Sequence, residues 1–192
     1  SRCQILVMLL HLTTLLITKQ LAHYTLQQEL SVKREYMWNL DTQTRLSSWY
    51  DFRQKIANLP IEQAVQKTNE LWMTAPISNP YYTADHSDEW PDPWQLVVDN
   101  TYDDIAKTLG MLYTITLSHK EINGEIRCYR DRKRSEDINL AWLEHGKYVL
   151  NYDLEVRVNT ELEHINQASI INICTKEELF NESNSSNQEG RQ

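Results

Sequence analysis

The stretch from Asp99 to Lys120, DNTYDDIAKTLGMLYTITLSHK, constrains the fold of this chain more than any other. Ile105, Ala106, Leu109, Leu112, Tyr113, Thr116 and Leu117 recur at helical spacing. That spacing predicts a helix of about five turns with one apolar side. Asn100 or Thr101 is the expected cap, and Asp103 and Asp104 place carboxylates in the first turn, where the helix dipole favours them. Gly110 inside such a helix costs about 1 kcal/mol relative to Ala, which implies close packing there. A stiff aromatic turn, Trp90-Pro91-Asp92-Pro93-Trp94, precedes the helix and is expected to cover its start. A helix of this kind runs through the middle of a domain, so the group on its first residue, Tyr102, bears on function.

Composition excludes some classes. The 192 residues carry a net charge of -8, whereas a nucleic-acid grip needs clustered cations. The basic run from Arg127 to Arg134 reads as a solvated loop or strand edge. Only 4 Gly and 5 Pro point to a helix-rich chain. Cys3, Cys128 and Cys174 are three, with no CxxC spacing, so neither a disulfide framework nor a zinc site is indicated. Reducing surroundings follow, cytoplasmic or in a virion, with secretion disfavoured. Two Asn-x-Ser sequons, at Asn181 and Asn184, would matter only in a secreted chain.

In chain order, Ile5 to Ile17 is apolar but shorter than the about 20 residues that a spanning helix needs. It reads as a buried or partner-docking helix ahead of a polar, Gln-rich helical segment from Ala22 to Lys33. Leu46, Trp49, Tyr50, Arg53 and Ile56 form a helical stripe in an aromatic region, residues 35–58. Pro60 opens a second helix lined by Ile61, Ala64, Val65, Thr68 and Trp72, which stops before Pro76. Residues 76–98 read as a long connection. Asp85, His86, Asp88, Glu89 and Asp92 within it lack the spacing of a calcium loop, so no metal is expected.

After the central helix the period changes. Asn123-Gly124 signals a turn, and Glu125 to Tyr129 a strand, followed by a charged loop from Arg130 to Asp137. Ile138 to Glu144 and Lys147 to Tyr152, joined by His145-Gly146, read as an antiparallel hairpin. Leu154 to Val158 offers a further edge. Glu161 to Leu179 reads as a helix and then a short strand (SIINIC), and Asn181 to Gln192 as a polar, disordered tail. The expectation is an α+β protein. A helical extension (1–58) precedes an α+β domain (59–180) and the tail (181–192).

This order of parts resembles the transglutaminase-like branch of the papain-like cysteine enzymes. In that family the central helix opens with Cys-x-Asp-x-Ala, and Tyr102-Asp103-Asp104-Ile105-Ala106 matches at the Asp and the Ala. The family's first hairpin strand carries His-Ala-Trp, where this chain has Leu140-Ala141-Trp142, and its Gly-Lys-Trp resembles Gly146-Lys147-Tyr148. The Asp that closes the second strand falls near Asn151 or Asp153. The aromatic helices and acidic loop also resemble small proteins of tailed bacteriophages.

The resemblance implies a thiolate at a helix N-terminus, a histidine that shuttles its proton, and an acid or amide that orients the histidine. On this chain Tyr102 would hold the nucleophile position and Leu140 the base position, with Asp104, Asn151 and Asp153 around them. Tyrosine is a poor acyl acceptor and leucine moves no proton. The expected function is therefore a non-catalytic domain for binding or assembly, with no cofactor and no membrane span. Its protein partner would meet the aromatic N-terminal helices, Leu9 to Leu16 and Trp38 to Phe52. The alternative is an active cysteine hydrolase or acyltransferase that uses Cys128 with His145 or His119.

Overall fold

The computed structural model describes residues 37–79, 82–131, 136–159, 162, 165 and 168–180. The apolar segment Ile5 to Ile17, the Gln-rich segment after it and the tail from Asn181 lie outside the described residues, as does the second half of the basic run.

Helix α1 (Thr42–Ile56) starts where the Asp41 carboxylate accepts from the Thr44 backbone at 3.1 Å. Helix α2 (Ile61–Met73) follows Pro60, whose fixed φ suits a helix entrance. A short helix, α3 (Pro93–Asp99), lies inside the segment expected to be a loop. Its start follows from local chemistry. Asp92 accepts from the backbone N–H groups of Trp94 and Gln95, both at 2.8 Å, and Pro93 takes the first helical position. Asn100, with φ of 53°, turns the chain out of α3 instead of capping the helix beyond.

That next helix, α4 (Asp104–Ser118), is the predicted central one, and it is buried along nearly its whole length. Asp103 is its cap, accepting from the Ala106 N–H at 2.8 Å. Tyr102 thus lies outside the helix, extended, in a parallel bridge with Ile77. The aromatic turn covers the middle of α4, because the Tyr113 hydroxyl donates to the Pro91 carbonyl at 3.0 Å.

Four antiparallel strands follow: β1 (Gly124–Asp131), β2 (Glu136–Leu143), β3 (Tyr148–Leu150) and β4 (Ser169–Thr175), in spatial order β3-β2-β1-β4. A 3₁₀ turn, Glu144–Gly146, closes the β2–β3 hairpin. Residues 154–158 add only one bridge, Val149 with Arg157. The Asn123-Gly124 signal marks the passage from α4 into β1, where Gly124 packs on Leu112 and Leu143.

The helices cover one face of the sheet. Ile126, Cys128, Ala141, Leu143, Tyr148 and Leu150 share a core with α1, α2 and α4. On the other face Tyr129, Leu140, Trp142 and Val149 pack with Leu162 and Ile165. Strand β2 is therefore buried on both sides, and its side chains alternate between two cores.

Within the larger core one hydroxyl ties three helices. The indole N–H groups of Trp49 on α1 and Trp72 on α2 both donate to Thr114 Oγ1, each at 2.9 Å. That hydroxyl in turn donates to the Gly110 carbonyl at 2.6 Å. The Trp72 ring lies where a side chain on Gly110 would have to go, which accounts for glycine inside the helix. Of the expected α1 stripe, Trp49, Arg53 and Ile56 are buried but Tyr50 is 53% exposed. Its place facing inward is taken by Arg45, whose guanidinium donates to the carbonyls of Leu40, Val97 and Val98.

Candidate functional site

The N-terminal turn of α4 meets the hairpin through polar side chains in an otherwise apolar interior. Asp104, the first helical residue, presents one carboxylate oxygen to the Asn139 amide of β2 at 2.8 Å and the other to the Asn151 amide at 2.9 Å. The Asn151 amide also donates to Thr108 Oγ1 at 2.8 Å and to the Asn139 carbonyl at 3.0 Å. Thr108 Oγ1 donates to the carbonyls of Asp104 and Asn139 at 2.9 and 3.1 Å. Asn69 of α2 completes the network, accepting from the Asn151 backbone N–H at 2.9 Å and donating to the Asp153 carbonyl at 2.7 Å. Asn151 sits just past β3 with φ of 69°, a left-handed conformation that Asn tolerates better than most residues. One network thus joins α2, α4, β2 and the end of β3.

Asp104 itself is exposed, although its carboxyl group is crowded by the network. Burial pushes the Asp104 pKa up, although solvent reaches part of the residue; the amides of Asn139 and Asn151 pull it down, and neighbouring Asp103 pushes it up again. Lys107, in the next turn, is buried, which lowers its pKa against the opposing pull of Asp104.

The structure brings Asp104 and Asn151 together and places the other named residues elsewhere. Tyr102 is fully buried in an aromatic cluster, 5.0 Å from the Trp38 ring and 5.5 Å from that of Trp72. Among the described residues its hydroxyl has no hydrogen-bond partner, and burial pushes its pKa up. Leu140 points into the second core, on the face of β2 away from α4. The Asp153 side chain turns to Arg157, with contacts of 2.7 and 3.0 Å. The strand residue that faces Asp104 is Asn139, one position before Leu140. Period-two alternation is the signal that finds it, since Asn139, Ala141 and Leu143 share a face.

Cys128 lies across from Asn139 in the β1–β2 ladder and is fully buried. Its thiol is pushed up to about 12, first by burial and then by the charge of Asp104. That is the reverse of an activated thiol. His119 sits at the far end of α4, bonded to the Ile56 carbonyl at 3.0 Å. Fifteen helical residues separate it from the Asp104 turn, a length of about 22 Å. His145 is exposed in the hairpin turn with φ of 57°. Neither histidine belongs to the Asp104 network.

Among the described residues no group of three or more His, Cys, Asp or Glu could hold a metal ion. No helix among them is long and apolar enough to cross a membrane.

A central helix that presents its N-terminus to an antiparallel hairpin, with further helices on the same side, makes an α+β fold. Among solved structures the chain is similar to Legionella pneumophila LapG, at 12% identity and a TM-score of 0.54, over 73% of this chain and 80% of that one. The calcium-bound form of the same protein aligns at 12% identity and a TM-score of 0.55, over 74% and 82%. At this identity the likeness is one of fold. No protein-family model and no curated protein sequence matches the chain.

Proposed function

We propose that this chain is a transglutaminase-like domain without acyl-transfer or peptidase chemistry, and that it acts by binding or in assembly. The observation that supports this most is the Asp104–Asn139–Asn151 network. It occupies the junction of helix N-terminus and hairpin where such a fold would hold thiolate, imidazole and orienting acid or amide. A carboxylate held by two amides has no thiol to acylate and no imidazole to move a proton. Cys128 does not rescue the chemistry, because a buried thiol of raised pKa with no imidazole in its network stays protonated.

A thiol-directed activity probe and a set of peptide and acyl substrates test this reading. The expected result is no turnover by the wild-type chain. Turnover that Cys128→Ala abolishes would overturn it, whereas labelling without turnover would show only an accessible thiol.

A further inference from the structure

Two arginines of α1 are buried, and they are treated differently. Arg45 spends its guanidinium on three backbone carbonyls and the Thr42 hydroxyl. Arg53, two turns on, is 6% exposed, and its Nε is buried with no acceptor among the described residues. No carboxylate among the described residues pairs with it, although the chain carries 27 Asp and Glu. What holds Arg53 is aromatic: its guanidinium carbon lies 4.2 Å from the Trp49 ring centroid, 5.0 Å from Trp94 and 5.7 Å from Tyr50.

Stacking uses the faces of a guanidinium and leaves the in-plane N–H groups clear of the rings; with Nε enclosed, the terminal Nη groups are the ones a partner would meet. Trp49 is anchored in the core through Thr114, so the platform is rigid. Trp94 and Tyr50, which also contact the guanidinium, are 51% and 53% exposed, with Val98 one turn beyond Trp94 on α3. Burial lowers the Arg53 pKa, as expected of a cation stripped of water without a counterion. A desolvated, unpaired cation between exposed aromatic rings is unfavourable in the free protein unless an anion completes it.

We propose that this face of α1 and α3 docks a carboxylate-bearing peptide segment of a protein partner. A partner Asp or Glu would pair with Arg53, and an adjoining apolar side chain would lie against Trp94 and Val98. Arg, Trp and Tyr are the residue types that dominate binding energy where water is excluded. A planar guanidinium fork also matches the two oxygens of a carboxylate. The inference rests on the binding reading above and names the chemistry of its partner.

The probe is an N-acetylated, C-amidated pentapeptide, Leu-Glu-Phe-Glu-Leu, titrated into the full ¹⁵N-labelled chain, with Leu-Gln-Phe-Gln-Leu and inorganic phosphate as parallel arms. The glutamate peptide is expected to shift the Arg53 Nε–H and Trp94 indole signals to saturation, and the glutamine peptide to leave them in place. Arg53→Met should weaken binding about tenfold or more, and so should Trp94→Ala, whose exposed ring can be removed without opening the core. An equal response to both peptides, or to phosphate alone, would overturn the proposal. So would a gain in mass that shows a second copy on this face, or unchanged affinity in both variants. Failure here leaves the Asp104 network as it is, whereas catalytic turnover would remove the binding reading without changing the titration.

Discussion

Asn139 donates to the Asp104 carboxylate across 2.8 Å, fixing the second strand of the sheet to the first turn of the central helix. The next residue, Leu140, faces the opposite core. A change of one position therefore separates a polar network from an apolar cluster.

Asn139→Ala should cost about 1 kcal/mol, because it removes a hydrogen bond to a carboxylate that water can partly re-satisfy. Leu140→Ala should cost about 2–5 kcal/mol by opening a cavity in the second core. In a double-mutant cycle with Asp104→Ala, Asn139→Ala is expected to couple and Leu140→Ala to add independently. Urea denaturation of the single and double variants checks this; additivity for both would mean that the Asn139–Asp104 contact carries no energy.

Thr114→Val should be among the more damaging conservative changes. It keeps the volume but leaves the indole N–H groups of Trp49 and Trp72 without their acceptor. Each buried unsatisfied donor costs about 1–3 kcal/mol, so a loss of about 2–5 kcal/mol is expected in a thermal or urea melt.

The raised pKa of Asp104 predicts a pH dependence of definite sign. An acid whose folded pKa lies above its ordinary 3.8 holds its proton more tightly when folded. Its stabilising share is present below that ordinary value and is lost as pH rises through the raised one. The stability of wild type minus that of Asp104→Asn should therefore fall as pH rises above the ordinary 3.8. Paired urea midpoints across that range measure it, and a rising difference would contradict the assignment.

Asp104→Cys and Tyr102→Cys should behave as opposites. A thiol at position 104 would sit at a helix N-terminus beside two amide donors, which lowers its pKa below the ordinary value of about 8.5. A thiol at position 102 would lie fully buried among Trp38 and Trp72, where it stays protonated. Iodoacetamide rates against pH, with Cys128→Ala as the background, distinguish the two.

Much of the fold was legible in the sequence because its signals are periodic. The stripe from Ile105 to Leu117 marked α4, the run of Ile138 to Glu144 marked β2, and SIINIC marked β4. What failed was parity and local punctuation. Leu140, Ala141 and Trp142 are all apolar because β2 is buried on both faces, so no alternation shows which one meets the helix. Asn139 is the polar marker of the inner face, but one polar residue in an apolar run does not say which face it takes. Asp92 and Pro93 are a good helix start, but with tryptophans on both sides the sequence reads as a turn, which conceals α3. With α3 concealed, Asn100 reads as a cap, whereas its left-handed backbone makes it an exit.

The clamp from Arg45 to the carbonyls of Val97 and Val98 has a consequence for how the molecule opens. A seven-residue helix is too short to persist in water by itself. Helix α3 also packs on α4, but its polar tie to α1 is a side chain 52 residues away in sequence, and α3 is expected to open when α1 undocks. The two form a single cooperative unit, so their slowest-exchanging amides should share one opening free energy and respond together to whatever binds at their shared surface.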